Sequence, residues 1–290
     1  EREADRLAIN ILANANINPK AMSGFFKTLL KENNEANALE FLRTHPLSKN
    51  RVVETENLAS KYKGNFTNDS FSYQFVSARI SIKNLDTRKF IKSYLYNPNE
   101  IINSPSKAVD NYAYGLALIK EKKYEKSIIV LKNLLDFLNT KDQLYFIKNY
   151  ISIALSDAYL QNNNYEAALL ILEDLNNIYP TDSSVLYFLS NAYIKNKEYK
   201  KAVDILIPYV VEHRDHRLVI KISEAAYKLK EKSLGHEYRA DYLKLLGSFN
   251  SSIKFYKLAL KYNIKGKTID DRILSKIKEI KRLQETKEIL

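Results

Sequence analysis

Residues 165–199 read YEAALLILEDLNNIYPTDSSVLYFLSNAYIKNKEY, and this stretch decides the fold. It opens on Tyr165-Glu-Ala-Ala168 and runs into Tyr199-Lys-Lys-Ala202, so an aromatic followed three residues later by a small residue recurs after 34 positions. Leu172 and Leu175 stand seven and ten residues after the first aromatic, and Leu206 and Tyr209 after the second. Tyr159 and Tyr193 stand six before. Working outward, Tyr124 and Ser127 repeat the pattern with Leu118, Leu131 and Leu134, and Phe249 and Ser252 repeat it with Leu243 and Tyr256, Leu260 standing one position later than the pattern. The step from Tyr124 to Tyr165 is 41, one period plus seven, and the step from Tyr199 to Phe249 is 50, which admits a degenerate unit between. Apolar residues at spacings of three and four predict helices, and self-similarity at a fixed period predicts stacked units.

This pattern resembles the tetratricopeptide repeat, in which each unit is two antiparallel helices. The resemblance implies that the small residue lets the second helix approach the first and that the aromatic wedges between neighbouring units. Gly115, Ser156, Ser190 and Ala240 stand at the tight-packing position of the first helices, and Pro180 where such a unit often ends. Stacking buries a continuous core and leaves a repeat face for partners. Residues 108–290 are therefore read as the array, closed by a capping helix over 270–290 with Ile273, Ile277, Ile280 and Leu283 on one stripe.

The composition agrees. Only 6 Gly and 6 Pro in 290 residues leave little room for the turns of a sandwich or barrel. Apolar residues make up 45%, which excludes wholesale disorder, and no run of 18 apolar residues forms a membrane span. Zero Cys excludes disulfides, thiolate metal sites and Cys nucleophiles, and is compatible with an oxidising or a reducing compartment. The net charge of +12 is uneven: residues 217–290 hold 18 Lys and Arg against 9 Asp and Glu. Such a quarter can attract nucleic acid, anionic lipid or an acidic protein, or be a solvated lysine face. It lacks the aromatic-basic clusters of RNA-binding modules, so no nucleic-acid partner is expected.

Upstream of the array, residues 1–62 read as several helices and 63–107 as a linker and helical connection, with a helix over 71–85. In the first helix Leu7, Ile11 and Leu12 with Ala4, Ala8 and Ala15 form an apolar stripe. Asn18-Pro19 predicts a capped helix start before Met22, Phe25 and Phe26. Glu1 and Asp5, four apart, share a helix face, which by itself describes a solvated carboxylate pair as well as a site. His45 precedes Pro46 and should lie on an extended connector.

Glu1-Arg-Glu-Ala-Asp5 before an apolar helix, Asn18-Pro-Lys-Ala-Met22 before Phe25-Phe26, and Thr44-His45-Pro46 followed by Arg51 recur in one order. Together they resemble the back half of the catalytic domain of the M48 family of zinc metallopeptidases. The resemblance is specific in motif over residues 1–51. It implies that Glu1 is the third zinc ligand, that Asp5 supports a zinc-bound His from behind, and that Arg51 is a cation facing the substrate carbonyl or carboxylate. It implies that His45 lies near the metal, either closing the zinc shell as a latch or stabilising the oxyanion. The fold class so implied is all-α, a C-terminal helical remnant of a zincin-like metallopeptidase domain followed by a tetratricopeptide-repeat α-solenoid. The implied activity is that of a periplasmic metalloendopeptidase of outer-membrane protein quality control, its repeats docking protein substrates or the assembly machinery.

No His-Glu-x-x-His occurs in the 290 residues. That helix supplies two zinc ligands and the general base. The expectation is a fragment of a longer exported protease, its leader and zinc helix upstream, one Zn2+ per parent, and no activity or retained zinc in this chain alone. The alternative is a non-enzymatic repeat scaffold. His213 and His216, three apart around Asp215, are compatible with a shared metal on a helix face or with a plain helix end.

Overall fold

A computed structural model describes residues 1–32, 49–66, 70–97, 102, 104–139 and 147–287. Among these residues there are fifteen α-helices and no β-strand. None of the helices is long and apolar enough to cross a membrane. The chain divides into two compact units, Glu1–Ser70 and Phe71–Leu290.

The first unit holds α1 (Arg2–Asn14), α2 (Lys20–Glu32) and α3 (Lys49–Ala59). Helix α1 stops because Asn16 takes the left-handed conformation, φ 58°, and the N–H groups of Asn16 and Ile17 return to the carbonyls of Ala13 and Leu12. The Asn18 carboxamide then accepts the Lys20 N–H at 3.1 Å and starts α2, as the Asn-Pro pair predicts. The apolar stripe of α1 departs from expectation. The residues that α1 buries are Asp5 and Ile9, while Leu7 and Ile11 are 54% and 66% exposed. Within this unit the helix packs through the side that carries its carboxylate.

The second unit begins with α4 (Phe71–Asn84) and the short α5 (Thr87–Ser93). Phe75 of α4 sits 4.9 Å from the buried Tyr112 ring, and Lys120 caps the end of α4 on the Ile82 and Lys83 carbonyls at 2.8 and 3.0 Å. Antiparallel pairs follow: α6 (Pro105–Lys120) with α7 (Tyr124–Asn139), α8 (Lys148–Gln161) with α9 (Tyr165–Ile178), and α10 (Ser183–Lys195) with α11 (Tyr199–Glu212). Next come α12 (His216–Lys228), α13 (Lys232–Leu245), α14 (Phe249–Lys261) and α15 (Lys267–Lys287).

Two devices close these pairs, the first in all five and the second in three. The first is a turn residue at positive φ two positions before the second helix: Lys122, Asn163, Lys197, Lys230 and Gly247, with φ between 58° and 75°. After each first helix two N–H groups return to its last carbonyls, as Glu198 and Lys197 do to Tyr193 and Ile194. The residue six before the second helix is thus the carbonyl partner of the turn. Lysine is strained in this conformation, so Lys197→Gly is expected to raise stability by about 0.5–1 kcal/mol, read as a shift of the urea midpoint at constant slope.

The second device is close approach between small residues twelve apart. Ser127 donates to the Gly115 carbonyl, Ser223 to that of Gly235 and Ser252 to that of Ala240, each at 2.8 Å. Ala168, Ala202 and the three serines are buried, as are Leu131, Leu172, Leu206 and Tyr256 seven residues after the aromatic positions. A Cβ on Gly115 would meet Leu131 Cδ2 at 2.7 Å, and one on Gly235 would meet the Tyr227 ring at 2.7 Å. Leu131 is fully buried and has nowhere to go, whereas Tyr227 is 38% exposed and can swing out. Gly115→Ala is therefore expected to cost about 1–3 kcal/mol and Gly235→Ala less, by denaturant titration of the two variants.

These contacts also resolve the gap of 50. Helix α13 serves twice. Gly235 makes it the second helix of the pair with α12, and Ala240 makes it the first helix of the pair with α14. The aromatic position at its start is Lys232, which hides the unit from an aromatic-based alignment. The capping helix α15 buries Ile273, Ile277 and Ile280 as expected, while Leu283 is 41% exposed.

Candidate functional site

Three helices of the first unit meet at one guanidinium. Asp5 lies one turn into α1, and its amide donates to the Glu1 carbonyl at 2.9 Å, which stacks the two carboxylates on one face. Arg51 lies in the first turn of α3 and reaches across to both. Its Nε and Nη2 donate to Asp5 Oδ2 and Oδ1 at 2.6 and 2.7 Å, a two-pronged pair, and Nη2 lies 2.8 Å from Glu1 Oε2. The guanidinium also covers the Phe26 ring of α2, 4.8 Å from its centroid. The Asp5 side chain is 5% exposed and that of Arg51 15%, whereas Glu1 is 42% exposed. The hydrogen bond to Asp5 holds the Arg51 guanidinium above its usual range despite its burial, with the charges of Asp5 and Glu1 adding to the effect.

Of the residues expected at the site, the structure brings Glu1, Asp5 and Arg51 together. His45 lies outside the described residues. A carboxylate offers about four lone-pair positions, so contact with Arg51 leaves Glu1 and Asp5 able to accept further partners. A zinc site takes at least three protein donors of N, O or S type. No three His, Asp or Glu side chains converge in that way among the described residues. Glu1 is the only donor of the expected set among them, so they do not compose a zinc site by themselves.

His213 and His216 do not share a helix face. His213 ends α11 with its ring 4.5 Å from Tyr209, and His216 opens α12 near Tyr242. Asp215 between them caps α12 and pairs with the Arg217 guanidinium at 2.6 and 3.0 Å, which holds its carboxyl below the ordinary range.

The sequence pattern did not point to a cleft of ≈ 430 Å³ on the first helices of the repeats. Arg79 of α4, Tyr150 of α8, Tyr187 of α10 and Arg217 of α12 line it. Tyr150 and Arg217 stand at one repeat position, fifteen before Tyr165 and Lys232, but Arg79 and Tyr187 do not share it, so only the stacking of helices brings the four together. Nearby, Lys221 donates to Asn191 at 3.2 Å and lies over the Tyr187 ring.

Comparison with known proteins agrees with both halves. Residues 1–59 match the model of peptidase family M48, and residues 159–221 match the tetratricopeptide repeat. The chain is 25% identical over 211 residues to the beta-barrel assembly-enhancing protease of Yersinia pestis, covering 63% of this chain and 43% of that protein. It is 26% identical over 136 residues to the proteins of the same name from Escherichia coli K12 and Shigella flexneri, covering 47% of this chain and 28% of each of them. The chain thus spans less than half the length of the curated relatives it matches. It joins a segment that matches the M48 peptidase model to one that matches the tetratricopeptide-repeat model.

Proposed function

We propose, from an M48 segment joined to repeats, that this chain is the C-terminal part of a zinc-dependent metalloendopeptidase of outer-membrane protein quality control in the periplasm. The observation that carries the reading is the cluster of Glu1, Asp5 and Arg51, inside the segment that matches the peptidase family. Arg51 positions the two carboxylates, Glu1 serves as a zinc ligand, and Asp5 fixes a zinc-binding His contributed by the rest of the parent. The exposed Leu7, Ile11, Phe25 and Val53 support it, because they leave apolar surface on the first unit that a complete peptidase domain would cover. The repeats dock protein substrates or the assembly machinery, and the Arg79–Tyr150–Tyr187–Arg217 cleft suits an extended chain.

The test uses the full-length parent. Glu1→Ala is expected to abolish metal-dependent cleavage, and His45→Ala to leave zinc bound and to raise basal proteolysis. Retained cleavage in Glu1→Ala would overturn the ligand assignment. Loss of cleavage with zinc retained in His45→Ala would replace the latch by an oxyanion role. This chain alone is expected to be inactive, and zinc-dependent cleavage by it would contradict the proposal.

A further inference from the structure

The basic last quarter of the chain has no part in the peptidase reading, and it supplies most of the lining of a second cleft. This cleft, of ≈ 440 Å³, opens between α11, the start of α13, and the α14–α15 connection with the first turns of α15. Its floor is apolar, made by Val203, Ile207, Leu234 and Ile269. Ile264 stands at the rim, 94% exposed. It is separate from the cleft on the first helices, which shares none of its lining residues.

The charges around it are unbalanced. Glu237 is held by Arg272 and Lys276, Glu231 by Lys265 at 2.9 Å, and Lys200 by Asp204 at 2.9 Å. Lys230 and Lys232 have no carboxylate partner among the described residues, and Lys232 lies over the Tyr262 ring instead. Two ammonium groups therefore flank an apolar floor that an isoleucine overhangs. A cavity of this volume takes one or two side chains. We propose that the cleft docks a short acidic segment of a partner protein, inserting one large apolar side chain between Ile207, Leu234 and Ile269 while flanking carboxylates pair with Lys230 and Lys232. Ile264 closes over the inserted group. The positive rim makes the association fall with salt and discriminates against basic segments.

The experiment uses the whole chain and a fluorescein-labelled peptide with a central Phe flanked by Asp on both sides, followed by anisotropy at low salt. The peptide is expected to bind. Replacing its Asp residues by Lys, or its Phe by Ser, should weaken binding by about tenfold or more. The double variant Lys230→Glu/Lys232→Glu and the single variant Ile264→Asp should each weaken it by about tenfold with unchanged melting curves, because all three side chains are at the surface. Arg217→Ala, in the other cleft, should leave binding unchanged. Absence of binding, binding unaffected by the Lys230, Lys232 and Ile264 changes, loss of binding in Arg217→Ala, or a preference for phosphatidylglycerol vesicles over the peptide would each overturn the proposal.

Discussion

Lys276→Met is expected to destabilise the end of the repeat array by about 3–5 kcal/mol, the magnitude seen when one partner of a buried ion pair is removed. Lys276 of α15 donates to Glu237 Oε1 at 2.9 Å and to both oxygens of Asp241, at 3.0 and 2.7 Å. Glu237 is 2% exposed and cannot rehydrate in place. Asp241, one turn along α13, also accepts the hydroxyl of the fully buried Tyr256. Removing the ammonium leaves two carboxylates on one helix face with only the half-exposed Arg272 beside them. Arg272→Ala should cost less, because Lys276 still neutralises Glu237. The measurement is urea unfolding of both variants.

The same residue sets a pH dependence. Burial lowers the Lys276 pKa, but the charges of Asp241 and Glu237 outweigh it and hold the group above its usual value. Its contribution is therefore fully present below the unfolded pKa of about 10.4 and is lost as pH rises through the higher folded value. Burial and the neighbouring Asp241 push the Tyr256 hydroxyl upward as well, with the same sign. Stability of the wild-type chain should thus fall above about pH 10, and Lys276→Met should fall less steeply.

The second large effect is expected from Arg51→Met, which should destabilise the first unit by about 3–5 kcal/mol. The substitution keeps apolar contact with Phe26 but leaves Asp5, 5% exposed, buried without its two-pronged partner and one helical turn from Glu1. A unit of this size has only several kcal/mol in total. Limited proteolysis should therefore open residues 1–66 in Arg51→Met while the repeats stay resistant. Adding Asp5→Leu should recover much of the loss, since an apolar pair can replace a buried ion pair. If the double variant is as unstable as the single one, the guanidinium is not what holds the three helices together.

The period of 34, the scarcity of Gly and Pro, and the buried stripe of α15 made the repeat architecture legible in the chain itself. These are local signals, because a stacked array repeats one short-range packing problem. The double use of α13 was not legible, because Lys232 removes the aromatic marker while Gly235 and Ala240 retain the close approach. The small residues twelve apart were the signal that could have found it. At the candidate site, residue type and order singled out Glu1, Asp5 and Arg51, but not that one guanidinium binds both carboxylates, across 46 residues of chain to Asp5 and 50 to Glu1. In α1 the periodicity pointed to Leu7 and Ile11 as the packing side, whereas this unit buries Asp5 and Ile9. Hydrophobic spacing determines that α1 is a helix with an apolar stripe. Which side is covered depends on the partner, and here a bidentate ion pair on α3 selects the carboxylate side. The sequence by itself therefore determined the elements, their period and the residue types of the site. Only the tertiary structure decided which faces of the first unit meet, because its ion pair joins segments whose separation along the chain carries no period.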